Sequence, residues 1–290
     1  MQQVLHQILD GLATGGIYAS LALALVMIYQ ATHLVNFAQG EIAMFSTYIA
    51  WTLINAGMGY WPAFALTVLF AFVLGVLIER VIVRPVENAP VLAVVVVFIA
   101  LLVILNSVAG WIYTYTIKTF PSPFPADPVF GINYMSPHQM GAIVVTLVVL
   151  LLVFAFFRLT PLGLAMRAAA QNPASSRLVG IRVGWMLALG WGLAAAIGSV
   201  AGMMIAPVVY LDPNMMSGIL LYAFAAALLG GIDSPGGAVL GGFIVGVLEN
   251  LLGAFVIGNE LKLVVALVLI IAVLLIKPSG IFGRVQVTRV

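Results

Sequence analysis

The polar side chains that could do chemistry in this chain are few, and they lie inside or beside long apolar runs. In Asn36-Phe37-Ala38-Gln39-Gly40-Glu41, three hydrogen-bonding side chains stand at the start of one such run. Asn106 is deep in a second, Asn214 sits in a polar break before a third, and Glu249 and Asn250 fall near the end of a fourth. Carboxamides and carboxylates at membrane depth can offer donors and acceptors to a polar solute, and ionisable ones are costly enough there to mark functional sites by default. Asn36, Gln39, Glu41, Asn106 and Asn214 are therefore the candidate lining of a translocation path. The competing uses are structural. Glu41 would suit the positive end of a helix dipole, and Asn106, Glu249 and Asn250 would suit interhelical hydrogen bonds.

Bond-making chemistry has no equipment. Cysteine is absent, and the three histidines, His6, His33 and His138, are scattered near run ends. That leaves neither thiol catalysis nor zinc coordination. No zinc-protease helix, nucleophile elbow or Walker loop occurs. The glycine-rich stretch 230–237 lacks the lysine of a phosphate loop, and its Gly230, Gly231, Gly236 and Gly237 read as a tight backbone turn. No catalytic residue, metal or cofactor is expected, and the chain is not expected to be an enzyme.

The elements that must position these residues follow from composition. Only 7% of the 290 residues are charged and 64% are hydrophobic, against about 25% charged in a soluble domain. A water-facing surface of ordinary size cannot be built from such a chain, so an all-α, polytopic transmembrane bundle is expected. Nucleic acid is excluded as a partner, because no basic face with interleaved aromatics exists. Apolar runs of membrane length fall at 8–30, 37–56, 62–83, 91–116, 138–157, 185–210, 238–257 and 261–276, with a shorter one at 218–231. Nothing in the first ten residues resembles a cleavable signal.

Basic residues set the orientation. Arg80 and Arg84, the arginines of 158–184, and Lys277, Arg284 and Arg289 make up nine of the eleven Lys and Arg. The positive-inside rule places all three groups in the cytoplasm. About nine spans, each near 20 residues, with the N-terminus out and the C-terminus in, satisfy that constraint. Reading 218–257 as one helix gives eight spans and puts the basic tail outside. Two half-helices re-entering from outside give seven and keep the parity. A weak internal echo between 11–50 and 192–231, each a Gly/Ala-rich span, a tyrosine, a polar break and another apolar run, is the pattern of an inverted repeat. Small-residue stripes at Gly11/Gly15/Ala19, Ala194/Gly198/Gly202, Gly237/Gly241 and Gly242/Gly246 suit close helix packing.

One segment is neither span nor short turn. Residues 158–184 carry Arg158, Arg167, Arg177 and Arg182 with no acidic residue, and their Ala, Leu, Met, Arg and Gln favour a helix broken near Pro173. It is large enough to lie along the membrane surface, where another protein or anionic lipid could press against it. The deep runs lack the carboxylate chains of an ion-coupled transporter, so energy would have to enter from a separate subunit.

Joined in order, GLATGGIYASLALALVMIYQ, NFAQGE (36–41), ERVIVRPV (79–86), PLGLAMRAAAQNPASSRLVGI (161–181), ALLGGIDSPGGAVLGGFIVGVLE (227–249) and KPSGIFGR (277–284) resemble the permease subunits of branched-chain amino acid ABC importers, nearly end to end. The resemblance implies one transmembrane permease domain of the type II importer kind, in a bacterial inner membrane. Its first half would be about 1–157, its cytoplasmic coupling segment 158–184, and its second half 185–290. It also implies two ABC ATPase subunits, a second and related permease subunit, and a periplasmic substrate-binding protein. Within the segment, Gly163, Arg167, Ala168, Ala169 and Gly180 would serve ATPase coupling, with Arg167 standing where the general motif has glutamate. The family's break commonly has histidine where this chain has Gln39. A stand-alone channel and a structural scaffold are the rival classes. A channel would conduct without an ATPase, and a scaffold would have no use for the polar breaks.

Overall fold

The computed structural model describes residues 2–125 and 135–283 and is all-helical there, with a single isolated antiparallel bridge between Lys118 and Leu211. The middle of the predicted external loop and the tail arginines Arg284 and Arg289 lie outside the described residues. Helices α1 (Gln2–Thr32), α2 (Gln39–Asn55), α3 (Tyr60–Ile78) and α4 (Arg84–Val86) are followed by α5 (Val91–Tyr113) and α6 (Pro137–Leu159). Two short helices, α7 (Pro161–Gln171) and α8 (Pro173–Leu178), come next. The chain then forms α9 (Val183–Val209), α10 (Met216–Gly230), α11 (Pro235–Leu252) and α12 (Lys262–Ile276). Among the described residues, seven helices are long and apolar enough to cross a membrane, and α2 and α10 are shorter.

Residues 216–252 are two helices, so the single-helix reading of 218–257 is excluded. The reason is local: Gly231 adopts φ +110°, a conformation that L side chains avoid. Ser234 then caps α11 by accepting from Gly237 N at 3.1 Å, with Pro235 at the first helical position. Gly230 and Gly237 face each other so closely that an added Cβ on either would meet the other's carbonyl. Gly236 differs. It has no atom within 4 Å of an added Cβ, so this turn does not require glycine there.

The chain divides into two compact units. One comprises residues 1–26, 124–143 and 218–290, the other 27–123 and 144–217. In the first, the stripe Gly11/Gly15/Ala19 of α1 meets Gly242/Gly246 of α11 backbone to backbone. The end of α10 is finished by the closing segment: Ile281 N donates to Leu229 O at 2.8 Å and Phe282 N to Gly230 O at 3.0 Å, which satisfies carbonyls that a helix end leaves open. In the second unit, α9 lies along α2 and α3. Gly75 admits the Trp191 carbonyl, Gly192 admits Phe72, and Gly202 admits Thr47. Hydrophobic side chains are sorted accordingly. Buried positions of α9 are mostly Gly and Ala, whereas α5 and α12 carry exposed Val, Leu and Ile along most of their length, as lipid-facing helices do.

Candidate functional site

The site lies in the second unit, where the NFAQGE break interrupts the chain between α1 and α2. His33 leaves α1 at φ +55°, and the Asn36 side chain then turns the backbone by accepting from Ala38 N at 3.0 Å. Asn36 Nδ2 donates to Gln39 Oε1 at 3.3 Å, and Gln39 Nε2 donates to the Ala194 carbonyl at 2.9 Å. Both side chains have zero exposure. Ala194 is near the middle of α9, so the break sits at mid-helix depth, where irregular backbone is tolerated only inside protein or along a path. Gly198 makes this possible, since a Cβ there would stand 2.6 Å from Gln39 Nε2. Asn36 and Gln39 thus form a closed network that fixes the start of α2.

Two residues on, about half a helical turn, Glu41 joins a different set. Asn106 Nδ2 from α5 faces Glu41 Oε2 at 3.5 Å, and donates to Pro213 O at 2.8 Å and Asn214 Oδ1 at 3.1 Å. The Tyr115 hydroxyl donates to Asn106 Oδ1 at 3.4 Å. Asp212 accepts from Asn214 N at 2.7 Å, and its carboxylate is within electrostatic reach of Glu41 and Tyr48. Glu41 is 5% exposed, while Asn214 and Tyr115 are open to solvent. The cluster therefore grades from a buried carboxylate to an open polar rim. Beside it, Tyr48 and Tyr113 stack at 4.4 Å, Trp51 meets Tyr113 edge-on, and Lys118 lies over the Trp51 ring at 5.2 Å. The Tyr48 hydroxyl is buried without a hydrogen-bond partner.

The backbone at the rim is strained. Thr114 (φ +65°, ψ +164°) ends α5 and Tyr210 (φ +65°, ψ +162°) ends α9. This region is populated almost solely by glycine, costs about 1–3 kcal/mol per residue and clusters at functional sites. Between the two, the backbones of Lys118 and Leu211 exchange two hydrogen bonds of 2.9 Å.

Of the five candidate path residues, the structure brings Glu41, Asn106 and Asn214 together and places Asn36 and Gln39 in the supporting network. Sequence reasoning missed Asp212, Tyr48, Tyr113 and Tyr115. The Asp212-Pro213-Asn214 turn signal was present, but nothing local says that it returns to Asn106.

The other interhelical candidates meet in the first unit. Asn250 Nδ2 donates to Thr14 Oγ1 at 3.1 Å, and Lys262 Nζ donates to Asn250 Oδ1 at 3.1 Å. Tyr18 and Tyr222 stack at 4.9 Å with their hydroxyls on Glu249. Among the described residues, no group of three His, Asp or Glu could hold a metal ion.

The coupling candidates lie on α7 and α8, and both helices begin as their sequences dictate. Thr160 accepts from Gly163 N at 3.0 Å and Asn172 from Ser175 N at 2.9 Å, each followed by proline. Gly163, Met166 and Ala169 are buried, Gly163 against the backbone of Phe156 and Phe157, so these face inward. Arg167 is exposed and Ala168 half-buried. Gly180 forms an open turn at φ +84°. Beside it, Leu178 and Val179 are 89% and 76% exposed, an apolar tip flanked by Arg177 and Arg182.

Comparison with known proteins gives a consistent picture. The profile of the family described as "Branched-chain amino acid transport system / permease component" matches residues 7–274. The chain is 34% identical to the high-affinity branched-chain amino acid transport system permease protein BraD of Pseudomonas aeruginosa, over 99% of this chain and 98% of that protein. It is 33% identical to LivH of Escherichia coli, described in the same words, over 99% and 97%. A probable branched-chain amino acid transport permease LivH of Methanocaldococcus jannaschii is 33% identical over 91% and 87%. Among solved structures, PsaBC from Streptococcus pneumoniae in complex with Fab aligns with a TM-score of 0.51 at 14% identity, covering 93% of this chain and 91% of that one. That last likeness concerns the fold alone.

Proposed function

Because the chain belongs to the branched-chain amino acid transport system permease family, we propose that it carries branched-chain amino acids through the Glu41–Asn106–Asn214 cluster. It is a membrane permease subunit of an ABC importer in the bacterial inner membrane, and not itself an enzyme. Nine crossings, with α2 and α10 counted as spans, keep Arg80, Arg84, 158–184 and Lys277 on the cytoplasmic side. The single observation that carries the path assignment is the buried Glu41 carboxylate beneath an exposed rim of Asn214 and Tyr115. An amino acid needs acceptors for its ammonium, which Glu41, Asp212 and the Pro213 carbonyl supply. It needs donors for its carboxylate, and the Asn106 amide and tyrosine hydroxyls supply those. The Tyr48–Tyr113–Trp51 wall offers an apolar face to its side chain. Transport then requires the Asn106–Asn214 contact to open outward and the Gln39–Ala194 network to shift inward.

The partners are two ATPase subunits, a second permease subunit and a periplasmic binding protein. The ATPase would grip the coupling segment at the outward-facing Leu178, Val179 and Arg167 and at the half-buried Ala168 beside them, while Gly163 and Ala169 seat α7 on its own fold. The rival reading as a stand-alone channel finds no use for an apolar tip ringed by arginines. Purifying the tagged chain from native membranes is expected to bring an ATPase with it. Leu178→Glu combined with Val179→Glu is expected to insert normally and lose most of that ATPase, on the order of tenfold or more for two buried apolar contacts. Unchanged co-purification would overturn the docking assignment.

A further inference from the structure

The ERVIVRPV stretch has so far served only to orient the chain in the membrane. Its Glu79–Val83 portion is a π turn continuing α3, a feature frequent at functional sites. The Arg80 guanidinium lies 3.9 Å from the centre of the Trp185 ring in the first turn of α9. Arg80 Nε lies 3.6 Å from Glu79 Oε2, an ion contact too long for a hydrogen bond. Arg80 Nε, Arg80 Nη2 and Glu79 Oε2 are all buried without a hydrogen-bond partner. The charge is therefore held by a carboxylate and an aromatic face on a side chain that is only 20% exposed, and cation–π attraction strengthens as water is withdrawn. One turn on, Arg84 reaches the same helix start: a Cβ on Gly184 would stand 3.0 Å from its Nη2.

Trp185 also stands just past the coupling segment. Between α8 and α9 the chain passes through Gly180 at φ +84°, with no atom within 4 Å of an added Cβ, a compliant joint. Beyond Trp185, α9 carries the Ala194 carbonyl that anchors Gln39 and ends at the strained Tyr210 before Asp212 and Asn214. One helix thus connects the coupling segment to both sides of the candidate path.

We propose that Arg80 and Trp185 form a clamp that fastens the first turn of α9 to the end of α3, so that displacement of the coupling segment reaches the path instead of dissipating at the Gly180 joint. Both act as positioning residues, and the inference rests on the ATPase-driven reading above. The test uses the complete complex in proteoliposomes, with ATP hydrolysis and amino acid uptake measured in the same vesicles. Arg80→Gln and Trp185→Leu are expected to assemble and hydrolyse ATP near the wild-type rate, while solute moved per ATP falls about tenfold, between the exposed and the desolvated values of a cation–π contact. Arg80→Lys and Trp185→Phe keep a cation over a ring and are expected to restore most of the ratio, including where the harsher variants do not assemble. An unchanged ratio in Arg80→Gln, or an Arg80→Lys as uncoupled as a loss-of-charge variant, overturns the clamp. Absence of any ATPase with the wild-type chain would instead strike the importer reading.

Discussion

Replacing Gly246 with leucine is expected to leave no stably folded protein, whereas the same change at Gly236 is expected to be tolerated. An added Cβ at Gly246 would stand 2.4 Å from Gly15 Cα and 2.5 Å from Gly11 O. Those are backbone atoms of the facing helix, so no rotamer change can make room, and α1 would have to part from α11. Parting them also breaks the contacts at Gly242, whose added Cβ would meet Ala19 Cα at 2.4 Å. In a bilayer, no hydrophobic effect between helices compensates for lost packing. The cost is at least about 3 kcal/mol, the upper end of overpacking penalties, against a total stability of about 5–15 kcal/mol. Detergent extraction followed by size exclusion and a thermal transition measures this. A monodisperse Gly246→Leu protein with the wild-type transition would show that the α1–α11 approach is not needed.

Truncating the side chain at residue 41 is expected to cut transport steeply while sparing assembly. Glu41→Ala takes away the one acidic group at the buried end of the cluster, leaving the Asn106 amide to donate only to Pro213 and Asn214. A charged hydrogen-bonding group contributes about 1.5–3 kcal/mol, so uptake should fall on the order of 10- to 100-fold. Glu41→Gln keeps the shape and an acceptor for a solute's ammonium but not the charge, and it is expected to fall between the two. Gln39→Leu makes the contrast, because it unties the break from Ala194 and should reduce folded protein rather than activity per molecule. Radiolabelled leucine uptake, normalised to assembled complex, separates the outcomes. Wild-type uptake by Glu41→Ala would remove the cluster from the path.

How much of this was legible beforehand differs by physical cause. Stripes of small residues follow the helical period, so the close approaches at Gly15, Gly198, Gly202, Gly242 and Gly246 could be read as stripes. Which stripe meets which is a matter of tertiary packing that no local pattern encodes. The polar break at Asn36–Glu41 announced itself because such residues are rare in so apolar a chain. Its division into a supporting pair and a path residue depends on about half a helical turn of rotation between Gln39 and Glu41, set by the Gln39–Ala194 bond. Asp212 and Tyr115 were invisible as site residues because both reach the cluster through strained backbone at Tyr210 and Thr114. Non-glycine residues in that conformation carry no compositional signal. The inward facing of Gly163 and Ala169 likewise follows from how α7 seats on α6 and α9. The arginines of 158–184 marked the segment without marking its outward side.

The closing segment at residues 280–283 bears on how the molecule is completed during synthesis. α10 leaves the ribosome well before Ile281 and Phe282, the residues that occupy the Leu229 and Gly230 carbonyls. Until they arrive, the end of that helix stays chemically unfinished. A chain stopped anywhere within α12 would carry every path residue described above and still lack its final fastening. Truncation ahead of residue 281 is therefore expected to leave the Leu229 and Gly230 carbonyls without these two backbone donors.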